Sequence, residues 1–203
     1  MENRTKRKLR EGKAVVGSSV QLNNLFTTEV MGKAGFDFLL IDTQHSPIGP
    51  ETLYSIVKGL SPTDSEIIVR SLWKSEAMVN QCMDLGADGV IVPLTNSAED
   101  VRRAVAGARY PPDGMRSFGP RFTERYGGPQ EYSVRANEEI LVLPQIETVE
   151  AVNNIDEILE VEGVDGIMIG PSDLTLSMGH PLKPGFPDAE EMIAHILSKC
   201  KEH

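Results

Sequence analysis

A repeated return from helix to strand is the feature of this sequence that most restricts its fold. The segments AGFDFLLID, LGADGVIVP and VEGVDGIMIG each contain a glycine, a spacer, an aspartate and then an apolar run. Apolar runs and helix-like segments alternate with a period of roughly 30 residues, which predicts βαβ units and a parallel sheet. The runs are continuous rather than alternating, as expected for strands that are buried on both faces.

Right-handed crossovers between such units allow either a doubly wound open sheet or a barrel. Ser75, Ser97 and Thr148 directly precede helix-like segments and are predicted to be N-caps. Two segments without periodicity, Tyr110–Gln130 and Pro181–Pro187, are predicted to be loops. The predicted strands are Ala14–Val16, Phe36–Ile41, Ile67–Val69, Gly89–Val92, Ile140–Leu143 and Gly166–Ile169.

Length and composition exclude several classes of protein. The chain has 203 residues, a formal net charge of -10 and two cysteines, Cys82 and Cys200. The acidic charge disfavours nucleic-acid binding, and two distant cysteines suit a reducing cytoplasm. The basic start has no apolar segment of a secretory signal behind it, and no run approaches the ~18 apolar residues that span a bilayer. We therefore expect a cytoplasmic protein whose residues 1–203 form one domain.

Polar residues follow the predicted strands at the points where those strands end. Parallel α/β proteins carry their chemistry at this edge of the sheet. Two carboxylates from adjacent strands suit Mg²⁺ or Mn²⁺, and the absence of cysteine from the set disfavours structural zinc. The residues in question are Asp42, His45, Arg70, Gln145, Glu147, Ser172 and Asp173.

Each of these residues also has a purely structural interpretation. Glu147 and Asp173 could satisfy free backbone N–H groups at the starts of helices. Asp42 could cap the turn that follows it or could be the partner of His45, and Arg70 could belong to a structural ion pair. Because four of the predicted strand ends carry hydrophilic groups, the sequence favours a shared site over unrelated caps and ion pairs.

Several segments of the chain resemble the HpcH/HpaI aldolases in order and spacing. These are IDTQHSP, VRSLW, LGADGVIVP, RYPPDGMRSFG, PQIET and GPSDL, and the resemblance covers nearly the whole chain. It implies a class II, metal-dependent aldolase with a (β/α)₈ barrel that cleaves 4-hydroxy-2-oxo acids to pyruvate and an aldehyde. It further implies a divalent cation (Mg²⁺, Mn²⁺ or Co²⁺) and a homo-oligomer, often a hexamer.

The resemblance implies how the metal and the substrate are held. Glu147 and Asp173 match the family's metal ligands, and Gln145 matches an amide that contacts the substrate. The backbone N–H groups of Ser172 and Asp173 match those that hold the pyruvate carboxylate.

The resemblance also implies catalytic roles. His45 matches the catalytic base, Arg70 matches the group that stabilises the enolate oxygen, and Asp84 matches an acid that orients and polarises the histidine. The residues alone favour Asp42 as the partner of His45, because it is nearer in sequence, so both acids stay candidates.

Two departures from the family pattern lie on the aldehyde side of the pocket. The segment PRFTERYGG leaves open which of Arg116, Arg121 and Arg125 meets the substrate. Ser19 stands where some members carry a bulkier aromatic residue. The identity of the aldehyde is therefore left undetermined.

The length of the chain bears on both its fold and its function. A complete (β/α)₈ barrel takes ~250 residues and eight strands, whereas this sequence predicts six strands and ends with a helix over Asp188–Lys201. We therefore expect a barrel truncated after its sixth βα unit, either a fragment or stabilised by a neighbour, since two strand edges stay unpaired. Besides an aldolase, the sequence allows an acyl-CoA or dicarboxylate lyase on the same metal site and a non-catalytic incomplete barrel.

Overall fold

The computed structural model of the protein describes residues 2–183 and 185–203. Within these residues, six strands alternate with helices along the chain. The strands are β1 (Gly17–Val20), β2 (Phe38–Asp42), β3 (Glu66–Arg70), β4 (Gly89–Val92), β5 (Leu141–Ile146) and β6 (Met168–Ile169). The helices are α1 (Arg4–Arg10), α2 (Leu25–Gly32), α3 (Pro50–Leu60), α4 (Glu76–Asp84), α5 (Ala98–Ala108), α6 (Pro129–Glu139), α7 (Val149–Asn153), α8 (Ile155–Leu159), α9 (Pro171–Ser177) and α10 (Pro187–Glu202).

The strands lie side by side in the order in which they occur in the chain. All five neighbouring pairs are parallel, which confirms the predicted α/β architecture with a parallel sheet. A doubly wound sheet reverses its strand order at a switch point, and this sheet does not, so a doubly wound fold is excluded. The six strands form a half-barrel.

Side chains of the strands alternate between two apolar layers. Ile41 and Val69 belong to the main core between the sheet and the helices. Leu40 and Ile68 belong to a smaller cluster on the other, inner face. Because successive side chains point to opposite faces of a strand, the residues that end β2 and β3 share the inner face with this second cluster.

Strand β1 begins later than the sequence predicts. The apolar run Ala14–Val16 only leads into the strand, which pairs with β2 from Gly17 onwards. The ring of Phe38 lies over Gly17, where an added Cβ atom would overlap Cε2 of that ring. The predicted strand Ala14–Val16 is therefore placed too early, and the small residues Gly17, Ser18 and Ser19 that follow it belong to β1.

The repeated aspartate has a structural role at the amino ends of the strands. Asp37, Asp88 and Asp165 each accept a hydrogen bond of 2.8–2.9 Å from a backbone N–H at or just before the preceding strand. Each repeat therefore ties the start of its own strand to the neighbouring one, which explains why the motif recurs.

Helix α1 covers the same amino end of the sheet with basic side chains. The Nζ of Lys6 lies 2.6 Å from Oδ1 of Asp165, and Lys8 pairs with Asp37. Lys6 is 3% exposed, so its charge is balanced inside the protein. A cavity of about 780 Å³ lies beside Lys6 and Asp165, at the opposite end from the carboxyl ends of the strands.

The predicted helix starts are confirmed. The side chains of Ser75, Ser97 and Thr148 each accept a hydrogen bond from a backbone N–H three residues later. The helix that begins after Thr148 is interrupted at Asn154, so α7 and α8 are two short helices.

The two predicted loops differ in outcome. Tyr110–Gln130 is largely irregular, but it contains a 3₁₀ helix over Thr123–Tyr126 and ends in the first turn of α6. The predicted loop Pro181–Pro187 includes Pro184, which lies outside the described residues.

In the part of the chain that the structure describes, no helix combines the length and the apolar character needed to cross a membrane.

Candidate active site

Asp42 and Arg70 form an ion pair at the carboxyl ends of β2 and β3. They are register partners in neighbouring strands, and both are the last residues of those strands. Nε of Arg70 donates to Oδ1 of Asp42 at 3.0 Å, and Nη2 donates to Oδ2 at 2.5 Å. Asp42 is completely buried. This two-point contact fixes the plane of the guanidinium group.

The carboxylate of Asp42 also shapes the turn that carries His45. Its Oδ1 accepts from the backbone N–H groups of Gln44 at 3.0 Å and His45 at 3.2 Å. Burial alone would raise the pKa of Asp42, but the hydrogen bonds and charge of Arg70, with these N–H groups, hold it below its ordinary value. Asp42 therefore touches the backbone of His45 and not its imidazole, which is exposed.

Gln145 and Glu147 lie at the end of β5 and are almost fully buried, at 4% and 2% exposure. Nε2 of Gln145 donates to Oε2 of Glu147 at 2.5 Å, and the backbone N–H of Leu94 donates to Oε1 at 2.7 Å. Oε1 of Gln145 has no hydrogen-bond partner among the described residues. A buried acceptor of this kind calls for a donor from a ligand or a bound water.

Asp173 supplies a second negative charge beside Glu147. It lies in the first turn of α9 and is exposed. Burial raises the pKa of Glu147, and the charge of Asp173 raises it further, while the Leu94 N–H, Gln145 and Arg70 oppose the shift. A cation between the two carboxylates would offset both the cost of burying the charge of Glu147 and its repulsion from Asp173.

The donor set fits a hard divalent cation. Both carboxylates offer oxygen, and the unpartnered amide oxygen of Gln145 lies beside Glu147. Within the described ranges, no group of three or more His, Cys, Asp or Glu residues could form an all-protein cage. Mg²⁺ and similar ions are commonly held by one or two carboxylates, with waters and substrate at the other positions.

Asp84 does not lie beside His45 within this chain. It ends α4, before β4 begins, and so lies near the amino ends of the strands, whereas His45 follows the carboxyl end of β2. Its carboxylate accepts from Arg116 at 2.9 and 3.3 Å. The expectation that Asp84 polarises the histidine is therefore not met inside one chain, because the length of a strand separates the two ends.

The arginines of the long loop are engaged at this same amino end. Arg116 is buried and pairs with the partly exposed Asp84 at 2.9 Å, and Arg125 forms an ion pair with Asp88 at 3.2 Å. Arg121 is exposed, and its backbone N–H donates to the carbonyl oxygen of Asp84 at 2.7 Å. The expectation that one of these loop arginines meets the substrate is thus not met by Arg116 or Arg125 within one chain.

Ser19 and Ser172 lie at opposite edges of the sheet, in the first strand β1 and just after the last strand β6. Ser19 belongs to β1, is exposed, and is in register with Leu40, a residue of the inner face. Ser172 is exposed in the first turn of α9, directly before Asp173.

Two residues that contact the site have no sequence signal for that role. Leu94 contacts Glu147 through its backbone N–H and adopts a positive φ of 51°, a conformation that a leucine in the sequence does not predict. Gly170 occurs in the GPSD segment after β6, but only the structure shows that it touches Glu147 and Gln145.

A family model for HpcH/HpaI aldolase/citrate lyase matches residues 18–203 of the chain. The chain belongs to this family. This HpcH/HpaI protein is 36% identical over 204 residues to a 4-hydroxy-2-oxo-heptane-1,7-dioate aldolase of Escherichia coli, covering all of this chain and 78% of the relative. It is also 36% identical over 203 residues to a 2-keto-3-deoxy-L-rhamnonate aldolase of Salmonella gallinarum, covering 99% of this chain and 76% of that protein.

Solved structures of similar proteins agree with this assignment. A HpcH/HpaI aldolase/citrate lyase family protein from Burkholderia cenocepacia superposes with a TM-score of 0.91 at 29% identity, over 98% of this chain and 81% of the other. The citrate synthase SbnG superposes with a TM-score of 0.89 at 32% identity, over all of this chain and 79% of the other. The predicted family resemblance is therefore confirmed, and the HpcH/HpaI protein is an enzyme of the lyase type.

Proposed function

We propose that this protein is a divalent-metal-dependent aldolase that cleaves or forms 4-hydroxy-2-oxo acids through the enolate of pyruvate. One observation carries the proposal. The buried carboxylate of Glu147, flanked by Asp173 and Gln145, shares the carboxyl end of the sheet with the Asp42–Arg70 pair. The full-length similarity to relatives that are named aldolases supports the same reaction class.

The proposed binding residues follow from the donor set. Glu147 and Asp173 would hold Mg²⁺, Mn²⁺ or Co²⁺, and Gln145 and Ser172 would contact the 2-oxo acid. A bound divalent cation supplies Lewis acidity that withdraws electron density from the 2-oxo group.

The chain's own residues supply proton transfer and charge stabilisation. His45 is exposed at the site edge and accepts the proton of the C4 hydroxyl; the C3–C4 bond then breaks, the aldehyde leaves, and the electron pair moves into the enolate. Protonation of C3 by the imidazolium yields pyruvate and restores neutral His45. The guanidinium group of Arg70 faces the developing oxyanion and stabilises its negative charge. Asp42 holds Arg70 in place, and Asp84 has no part in this single-chain scheme.

A conventional Schiff-base mechanism would need a free lysine near the strand ends. Lys74, which follows β3, instead places its Nζ 2.8 Å from Oδ2 of Asp100. An ammonium group in an ion pair is a poor nucleophile, so the geometry favours metal-assisted chemistry.

The setting of the site completes the proposal. We propose that the half-barrel represents the first six units of a (β/α)₈ barrel, and that residues 1–203 form one domain. We further propose a cytoplasmic homo-oligomer that acts on small molecules and binds neither nucleic acid nor membrane.

Metal-dependent exchange of deuterium into the methyl group of pyruvate tests the shared half-reaction without knowledge of the aldehyde. We expect exchange with Mn²⁺ and its loss on addition of EDTA. Glu147→Gln and Asp173→Asn should each abolish the metal-dependent exchange. Glu150→Gln is the matched control, because this exposed acid lies only three residues from Glu147. Equal exchange with and without chelator would contradict the proposal.

A second candidate is a citrate-type carbon–carbon reaction at the same site. The similarity to a citrate synthase over the whole of this chain favours this candidate over a non-catalytic barrel. Pyruvate release from 4-hydroxy-2-oxo acids supports the aldolase, whereas turnover confined to citrate or to malyl or citramalyl thioesters supports the second candidate.

A further inference from the structure

The carboxylate of Glu147 is held by hydrogen bonds at both oxygens. Leu94 donates its N–H to Oε1 at 2.7 Å, and Gln145 donates Nε2 to Oε2 at 2.5 Å. The backbone of Leu94 has a φ of 51°, a conformation that costs free energy for a non-glycine residue. The loop therefore keeps a strained residue whose amide contacts this carboxylate.

The turn between β6 and α9 packs against the same carboxylate through Gly170. A Cβ atom at Gly170 would lie 2.6 Å from Oε2 of Glu147, 2.7 Å from its Cβ and 2.9 Å from Nε2 of Gln145. Oε2 and Nε2 are the ends of side chains, but Cβ of Glu147 is attached directly to the backbone and cannot rotate away. An added methyl group would therefore force β5 and the turn apart.

The backbone at Gly170 does not itself require glycine. Its φ of -103° and ψ of 83° are open to other residues. The contact with Glu147, and not the local conformation, is therefore what excludes a side chain at this position.

We propose that Gly170 is a positioning residue that sets the distance between the carboxylates of Glu147 and Asp173. The inference rests on the proposed function, in which these two groups hold the divalent cation. Asp173 lies three residues after Gly170, in the first turn of α9. A turn pushed away from Glu147 carries Asp173 with it, so metal affinity falls even where the fold survives.

The test compares Gly170→Ala with Gly166→Ala. Gly166 precedes β6, and a Cβ atom there would lie 3.5 Å from Cδ2 of Leu143, which is an ordinary contact. The dissociation constant for Mn²⁺, measured by electron paramagnetic resonance, should rise at least ~10-fold in Gly170→Ala, as for other changes to residues that support metal ligands. Gly166→Ala should bind Mn²⁺ like the wild type. The activity of Gly170→Ala, relative to that of the wild type, should be higher at saturating Mn²⁺ than at limiting Mn²⁺.

The outcomes separate this inference from the proposed function. A folded Gly170→Ala with wild-type Mn²⁺ affinity overturns the inference and leaves the aldolase proposal intact. A wild-type protein that binds no Mn²⁺ contradicts the proposed metal site. In that case, crystal structures of the wild type and of Gly170→Ala decide the inference, because an unchanged distance between the carboxylates of Glu147 and Asp173 overturns it.

A double-mutant comparison covers the case in which Gly170→Ala does not fold. Glu147→Gly removes the Cβ atom and the carboxylate that the added methyl would meet. We expect Gly170→Ala to lower the melting temperature of the Glu147→Gly protein by less than about 2 °C. An equally severe loss in that background would place the clash elsewhere and overturn the inference.

Discussion

At the scale of single residues, the orientation of the Arg70 side chain is set by its two hydrogen bonds to the carboxylate of Asp42. Its two hydrogen bonds to Asp42 require a planar group with two parallel donors. Lysine supplies the charge but not the second bond, so its ammonium group would not be held where the proposed mechanism places the guanidinium group of Arg70.

We expect Arg70→Lys to lower kcat for pyruvate release by about 10²-fold, the loss that follows removal of one oxyanion donor. Steady-state kinetics measure the change. Arg102→Lys is the matched control, because Arg102 is an exposed residue of α5 that pairs with Glu99. Wild-type kcat in Arg70→Lys would remove Arg70 from the proposed mechanism.

Glu66 is an ionisable residue that the proposed chemistry does not use. It is 4% exposed at the start of β3. Burial, together with the negative charge of Asp88, raises the pKa of Glu66 to about 8, although the Arg4 N–H and the charge of Arg125 oppose the shift. Oδ1 of Asp88 has no donor among the residues described, and a protonated Glu66 would supply one.

This shift predicts a pH-dependent stability. Between the ordinary pKa of 4.5 and about 8, the folded state binds more protons at Glu66 than the unfolded state. The contribution of protonated Glu66 to the unfolding free energy is therefore fully present below pH 4.5 and is lost as the pH rises towards 8. The total loss is on the order of a few kcal/mol. Glu66→Gln should flatten the dependence of the unfolding free energy on pH in urea titrations. Glu131→Gln, a change at an exposed acid of α6, should leave the slope unchanged.

At the scale of elements, α1 is attached to the sheet by charges of very different burial. Lys6 and Asp165 are nearly enclosed, with side chains 4% and 11% exposed, whereas the side chain of Lys8 is 41% exposed. A buried charge that loses its partner is costly, and an exposed pair contributes little. Arg109 also contacts Asp165 at 3.2 Å and would compensate in part.

We therefore expect Lys6→Met to lower the unfolding free energy by about 2 kcal/mol and Lys8→Met by less than ~1 kcal/mol. Chemical denaturation of both variants measures the difference. Equal losses would show that burial does not govern the attachment of α1.

The sequence predicts elements well where a local signal specifies them. Ser75 and Ser97 cap their helices because the signal, a short polar side chain before an apolar repeat, lies within one turn. The start of β1 could not be predicted, because it depends on the ring of Phe38, 21 positions after Gly17 in the chain, passing over that glycine. Pairing and packing decide strand boundaries, and neither is local.

The same distinction applies to the candidate site. Asp42, Arg70, Gln145 and Glu147 could be predicted to lie together, because parallel strands bring their carboxyl ends to one edge. The partner of Asp84 could not be predicted, since its pairing with Arg116 depends on how the long loop folds back.

At the scale of the whole molecule, the half-barrel has two strand edges that pair on one side only within the described ranges. These edges are β1 and β6, and the inner apolar layer opens between them. Met168 in β6 is 39% exposed, and Phe38 is only partly buried. Unpaired edges and exposed apolar surface favour association with further strands.

We therefore expect this 203-residue chain to associate rather than to persist as a monomer. Light scattering after size exclusion should give a mass above that of one chain, and the melting temperature should rise with protein concentration, because association stabilises the folded state by mass action. Replacing Met168 by Lys places a charge on the open edge and should reduce the associated fraction. Val134→Lys, a change at an exposed apolar residue of α6, is the matched control and should leave it unchanged. A monodisperse monomer with a sharp melting transition that is independent of concentration would show instead that six strands close their own core.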